Sequence, residues 1–158
     1  CGSGSRVTGC QMLVDALRSF APAATRWYTL DAGRIKTFAE VTEDRQFIHL
    51  DEARAAETAF GGTIAHGFLT LSMLSAMSYE VLADLPGVKA SVNYGFDRIR
   101  FVSPVRTGAR VRGRFALASL EEGPGRVTVH WDVSIEIENE SKPALVAQWI
   151  TRFELEDG

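Results

Sequence analysis

The sequence predicts an α+β domain in which an antiparallel sheet wraps around one long apolar helix, and three observations lead to that prediction. Helical patterning fills the first half of the chain and strand patterning the second, with the changeover near Pro86-Gly87. The segment GFLTLSMLSAMSYEVLADL is apolar nearly all round, as suits a helix covered on most sides. RVTVHWDVSIEIE alternates: Val127, Val129, Trp131, Val133, Ile135 and Ile137 share one face, while Thr128, His130, Asp132, Ser134, Glu136 and Glu138 share the other. That is the period of a half-buried strand. A sheet with one polar face needs an apolar layer against the other, and the apolar helix can supply it.

The bulk numbers agree with one folded unit. The 158 residues are long enough for a substantial core, and 46% hydrophobic with 23% charged residues is ordinary for a globular chain. A formal charge of −3 gives no sign of general nucleic-acid affinity. The expected organisation is a flexible N-terminal tail over residues 1–10 and one domain over 11–158. CGSGSRVTG is Gly/Ser-rich and reads as a tail or the stub of a removed segment, with a lipid-modified Cys1 as the minority alternative. Cys1 and Cys10 could staple only that short segment, and the cysteine-free body suits a reducing, cytoplasmic setting. The most apolar run is shorter than the ~20 residues needed to cross a bilayer, so no membrane span is expected.

In chain order, MLVDALRSF carries apolar residues at helical spacing and stops at Ala21-Pro22. WYTLDAGRIKTF holds a short strand or edge. FAEVTEDRQFI is read as a helix with Phe38, Val41 and Phe47 on or near an inner face, and DEARAAET as a second short helix capped or acidified by Asp51. Gly61-Gly62 make FGGTIAHG a tight loop. After the apolar helix come four strands: KASVNYGFDRIRF, ARVRGRFALASLEE, RVTVHWDVSIEIE and ALVAQWITRFELE. The turn residues of GPGR and NESKP join the last three into an antiparallel meander. Such a sheet has edges to protect, and pairing with a second copy is a common remedy, so a homodimer is expected.

Candidate chemistry centres on EDRQFIH, Glu43 to His49. On one straight helix, five residues turn about 500° and leave Asp44 and His49 roughly 140° apart. Two readings stand: a solvated Asp44 with a turn-capping His49, or a bend that swings the two together as an acid/base couple. His66 stands where the loop meets the apolar helix, and both a structural and a catalytic role stay open. His130 lies on the polar strand face and reads as solvated. A helix beginning near Gly67 presents unpaired N–H groups at its positive end, suited to a developing oxyanion; a glycine needed only for packing is the other reading. Two histidines four apart on one helix, a GxSxG elbow and a phosphate-loop ending are all absent, so neither a metal nor a nucleophilic triad is signalled.

DRQFIH followed by FGGTIAHGFLTLSML resembles the MaoC-like dehydratases, the (R)-specific enoyl-CoA hydratases, whose pattern is an Asp, an amide residue two positions on and a His five on, then a loop ending in His-Gly. The likeness is closest to the branch that includes nodulation protein N-like proteins, and VNYGFDRIRFVSPV and KPALVAQWITRFEL extend it over most of the chain. It implies a hot-dog fold, usually dimeric, with Asp44 and His49 as the catalytic pair and the Gly67 N–H as donor to a thioester carbonyl. Gln46 stands where many members carry Asn, Phe47 where many carry Pro, and Glu43 replaces a frequent Gly. The implied reaction adds water to a trans-2-enoyl-CoA to give an (R)-3-hydroxyacyl-CoA, reversibly, in fatty acid metabolism. No metal or redox cofactor is needed, coenzyme A being part of the substrate.

Gln46, Leu71, Leu74, Ser75 and Ser78 are the candidate substrate-binding residues, the last four lining an acyl channel or simply belonging to the core. Arg98, Arg100, Arg106, Arg110, Arg112 and Arg114 either meet CoA phosphates or form a solvated face. The rival functions are a hot-dog acyl-CoA thioesterase, which sends water to the carbonyl, and a non-catalytic acyl-CoA binding module.

Overall fold

The computed structural model describes residues 8–155. Residues 1–7 of the tail expected over 1–10, with Cys1, lie outside the described residues. The described helices are α1 Gly9–Arg18, α2 Ala32–Thr42, α3 Phe47–Leu50, α4 Glu52–Ala56 and α5 Gly67–Val81. The described strands are β1 Ala23–Ala24, β2 Tyr28–Thr29, β3 Val88–Phe101, β4 Arg110–Gly123, β5 Arg126–Ile137 and β6 Leu145–Leu155. Because α1 begins at Gly9, with Thr8 accepting from the Gln11 N–H, Gly9 and Cys10 are helical and do not continue the tail.

The alternating segment becomes β5, the middle of an antiparallel sheet ordered β1-β4-β5-β6-β3, with β2 also paired to β4. The meander expected of the last three strands is present, and β3 returns across the sheet to pair with β6. Val127, Val129, Trp131, Val133, Ile135 and Ile137 are all buried. Trp131 is fully enclosed, and its indole N–H donates to Thr151 Oγ1 at 2.9 Å, so its one polar atom is satisfied. Phe115 of β4, Trp149 and Phe153 of β6, Leu69, Met73, Leu74 and Met77 of α5, and Leu13, Val14 and Leu17 of α1 complete this core.

Three expectations need correction. The helix read through FAEVTEDRQFI ends at Thr42, because Glu43 takes a left-handed conformation at φ 63° that an α-helix cannot continue. Val41 is consequently 74% exposed and not on an inner face. The central helix is also less covered than its composition suggests. Phe68, Ser72, Ala76 and Tyr79, spaced along one stripe, are exposed, as are Val92 and Tyr94 on the neighbouring edge strand β3. His130 is half-buried and not simply solvated; its Nδ1 lies 3.4 Å from Asp97 Oδ2.

Candidate active site

The site is built where α2, α3 and the start of α5 meet. The left-handed Glu43 supplies the bend that the five-residue spacing required, the Arg45 N–H donates back to the Glu43 carbonyl, and Gln46 caps α3. The turn brings Asp44 round to His49. A carboxylate oxygen of Asp44 and one ring nitrogen each of His49 and His66 lie within 4.8 Å of one another. Asp44 is exposed, whereas His49 and His66 are 9% and 2% exposed. Helix α2 thus ends at Thr42, before Asp44, and the bend at Glu43 brings the pair together.

The loop before α5 fixes His49. Gly61 and Gly62 sit at φ 67° and 156°, and a Cβ on either would come within 2.8 Å of the Arg106 guanidinium or the Glu52 carboxylate. Those two side chains pin the loop. Arg106 donates to the carbonyls of Phe60 and Gly61, while Glu52 accepts from the Thr63 N–H at 3.0 Å and its hydroxyl at 2.8 Å. The same bonds to Thr63 hold the Glu52 carboxyl below its ordinary pKa.

So held, the Ile64 carbonyl meets His49 Nδ1 at 2.8 Å, and the Ile64 N–H donates to the Ile48 carbonyl. A carbonyl oxygen can only accept, so Nδ1 carries the proton and Nε2 presents a lone pair. Burial pushes the His49 pKa down; the Ile64 bond opposes this, His66 adds to the depression and Asp44 opposes it.

His66 caps α5, and its ring stacks on His49 with centroids 3.8 Å apart and planes 25° from parallel. Its Nε2 lies 3.0 Å from the Asp44 carbonyl. Gly67 follows as the first helical residue, so its N–H has no intrahelical acceptor. A Cβ there would come 3.0 Å from the Phe101 ring, which accounts for glycine at this position on packing grounds as well. A cavity of about 240 Å³ opens beside Gly67, lined by Ile64, Ala65, Thr70, Phe101, Val105 and their neighbours.

Of the residues read as substrate-binding, Leu71, Leu74 and Ser75 line a second cavity of about 300 Å³ with Phe68, Ser72, Asn93, Phe96 and Trp149. Asn93 donates to Ser75 Oγ at 3.0 Å. Ser78 does not line that cavity: it is buried and its hydroxyl donates to the Ser75 carbonyl. Gln46 is exposed beside Asp44, its N–H 3.4 Å from Asp44 Oδ1. The arginine cluster separates. Arg110 pairs with Glu138, and Arg112 and Arg114 share Glu136 across the β4–β5 ladder, so two carboxylates offset most of the charge of these three. Sequence reasoning missed the parts of Glu52, Arg106 and the Ile64 carbonyl, which are joined to the site only through the folded loop. It left His66 open, and its place immediately before Gly67 was the signal available.

An antiparallel sheet around an apolar helix is the hot-dog arrangement, and the chain belongs to the MaoC-like domain family, whose model matches residues 20–138. It is 51% identical over 129 residues to "Nodulation protein N" of Rhizobium leguminosarum bv. viciae, covering 80% of each chain. It is 41% identical over 128 residues to "3-hydroxyacyl-thioester dehydratase Z" of Mycobacterium tuberculosis, covering 80% of this chain and 84% of that one. The solved (R)-hydratase from A. caviae involved in PHA biosynthesis superposes with a TM-score of 0.69 at 26% identity, over 86% of this chain and 95% of that one. No helix among the described residues is long and apolar enough to cross a membrane.

Proposed function

We propose that this chain is an (R)-specific enoyl-CoA hydratase that adds water reversibly to trans-2-enoyl-CoA thioesters, working in fatty acid metabolism as a cytoplasmic homodimer. The carrying observation is the spacing of Asp44 and His49. Two hydrogen bonds of ~2.8 Å meeting at the angle of one water span about 4.5 Å, and the Asp44 carboxylate and a His49 nitrogen lie within 4.8 Å. The kinship with proteins named dehydratases and (R)-hydratases supports the reaction class and its stereochemistry.

In the proposed reaction, water held between Asp44 and His49 Nε2 attacks the β-carbon. Its proton passes to Nε2, and the π-electron pair moves through the α-carbon onto the thioester oxygen as an enolate. The Gly67 N–H and the positive end of α5 stabilise that oxygen, one such donor being worth ~3 kcal/mol. The imidazolium then returns its proton to the α-carbon, and the enolate collapses to the 3-hydroxyacyl thioester. Asp44 stays ionised, accepting from the water and balancing the transient charge on His49. Leu71, Leu74 and Ser75 border the acyl channel in this reading.

The reaction so written needs no metal. Two imidazoles stacked 3.8 Å apart at 25° cannot both aim in-plane lone pairs at one cation about 2.0–2.1 Å away, so the Asp44–His49–His66 cluster suits a proton better than zinc. The exposed stripe of Phe68 and Tyr79 beside the edge strand β3 supports a second copy covering this side.

The test incubates purified protein with crotonyl-CoA and follows enone absorbance and free thiol separately. Enone loss without thiol is expected, with Asp44→Asn and His49→Gln each reducing kcat by about 10² or more while leaving the melting transition intact. Thiol release with crotonate as the product, in place of a 3-hydroxyacyl thioester, would replace this reading with a thioesterase. Acyl-CoA binding that survives both substitutions without turnover would replace it with a binding module.

A further inference from the structure

We infer that His66 is a positioning residue: its one imidazole ties Asp44 to the start of α5 and braces the His49 ring, so that the acid/base pair and the Gly67 N–H move as a unit. The kinetic part of this inference rests on the hydratase reading; the structural part does not.

Asp44 is weakly held by its own neighbourhood. It lies in an exposed turn between α2 and α3, its N–H is 3.5 Å from Thr42 Oγ1, and the Gln46 N–H is 3.4 Å from Asp44 Oδ1. Both contacts are at the long limit for a hydrogen bond. Arg45 pairs with Glu40 at 3.1 Å, but this joins the turn only to the helix that precedes it. Among the described residues, the contact that fastens the Asp44 backbone to a distant part of the chain is His66 Nε2 to the Asp44 carbonyl, 3.0 Å across 22 residues of sequence. A carbonyl only accepts, so His66 donates here from Nε2.

The ring that makes this bond is itself clamped. His66 is 2% exposed, with the His49 ring stacked on it at 3.8 Å and the Phe38 ring tilted at 57° with its centroid 4.9 Å away. Since His66 also caps α5, any shift of its backbone carries Gly67 with it.

A packing role alone does not explain the residue type. His66 Nδ1 is buried with no hydrogen-bond partner among the described residues. Burying an unsatisfied polar atom is unfavourable, and phenylalanine would fill the slot between Phe38 and His49 without it. Histidine is rationalised by the donor at Nε2.

Two substitutions separate the hydrogen bond from the stack. His66→Phe keeps a ring against His49 and removes the donor; His66→Gln keeps an N–H within reach of the same carbonyl and removes the stack. In His66→Phe, kcat for crotonyl-CoA hydration should fall by about 10²-fold, the effect expected of a misplaced catalytic group, with KM within about threefold. His66→Gln should recover part of that loss. Independently of turnover, amide hydrogen exchange at Arg45 and Gln46 should accelerate by about tenfold or more in His66→Phe and stay near wild type in His66→Gln.

Unchanged exchange in His66→Phe overturns the inference, as does unchanged kcat in a protein that does hydrate. If His66→Phe fails to fold, His66→Gln decides: exchange as fast as in a free peptide overturns the tether. If the wild-type protein hydrates nothing, the proposed function falls while the exchange data still decide the part played by His66.

Discussion

His49 and His66 lie ring on ring, centroids 3.8 Å apart and planes 25° from parallel, so charge on one opposes charge on the other. Burial is the larger cause of the depressed His49 pKa, and the stack adds to it. The sign for stability follows directly. A group protonated more readily in the unfolded chain costs the native state stability in acid, so this contribution is fully present above the ordinary value of 6.5 and is lost as pH falls through the folded value. Urea melts between pH 8 and pH 5 should show this slope, and His49→Gln should flatten it. In the same window kcat/KM for hydration should lose activity on an acid limb whose midpoint lies below 6.5, because Nε2 must be free to accept a proton. A midpoint above that value sinks the assignment of His49 as base.

Proline is tolerated at the first position of a helix, where its missing N–H would have no intrahelical partner. His66, at φ −60° and ψ 136°, already has the conformation that precedes proline readily. Gly67→Pro therefore removes the proposed oxyanion donor while keeping α5. Because atoms added at Gly67 approach the Phe101 ring, the comparison is made in a Phe101→Ala background. A fall in kcat of about 10²-fold against that background is expected from loss of one donor. Equal kcat in the two proteins would remove Gly67 from the mechanism.

Glu43 occupies the left-handed region at φ 63°, at a cost of about 1–2 kcal/mol for a residue bearing a Cβ. Glycine adopts that conformation freely but also loosens the unfolded chain, so Glu43→Gly should gain roughly 0.5–1 kcal/mol in a denaturant melt. A loss would mean that the carboxylate contributes something beyond the bend.

Phe68, at 67% exposure, and Val92, at 45%, mark the face of α5 and the edge strand left open in the single chain. Sedimentation should find a dimer, and Phe68→Asp with Val92→Lys should shift it to monomer. A wild-type monomer at assay concentrations would end the proposal of a homodimer.

Much of the fold could be read from local pattern. The alternation in β5 matches the buried faces residue for residue, because period-two hydrophobicity and one-sided burial have the same cause. Helix α5 was plain from its start at Gly67, though it ends at Val81 and not at Leu85. Helix α2 was extended too far, since Glu43 is an ordinary helix former by composition and nothing in its chemistry announces a left-handed turn. The uncovered stripe on α5 was hidden for a related reason: apolar residues that face a core and those that face an open surface look alike in sequence.

The sequence by itself determined the elements, the sheet's buried face and the residue types of the candidate pair, all consequences of periodicity and side-chain chemistry. Only the tertiary structure decided that Asp44 turns toward His49, that the Ile64 carbonyl selects the His49 tautomer, and that His66 bridges the two. The last two join residues 15 and 22 positions apart through a loop pinned by Glu52 and Arg106. Their distances depend on how that loop closes, a property of the folded chain that no local spacing encodes.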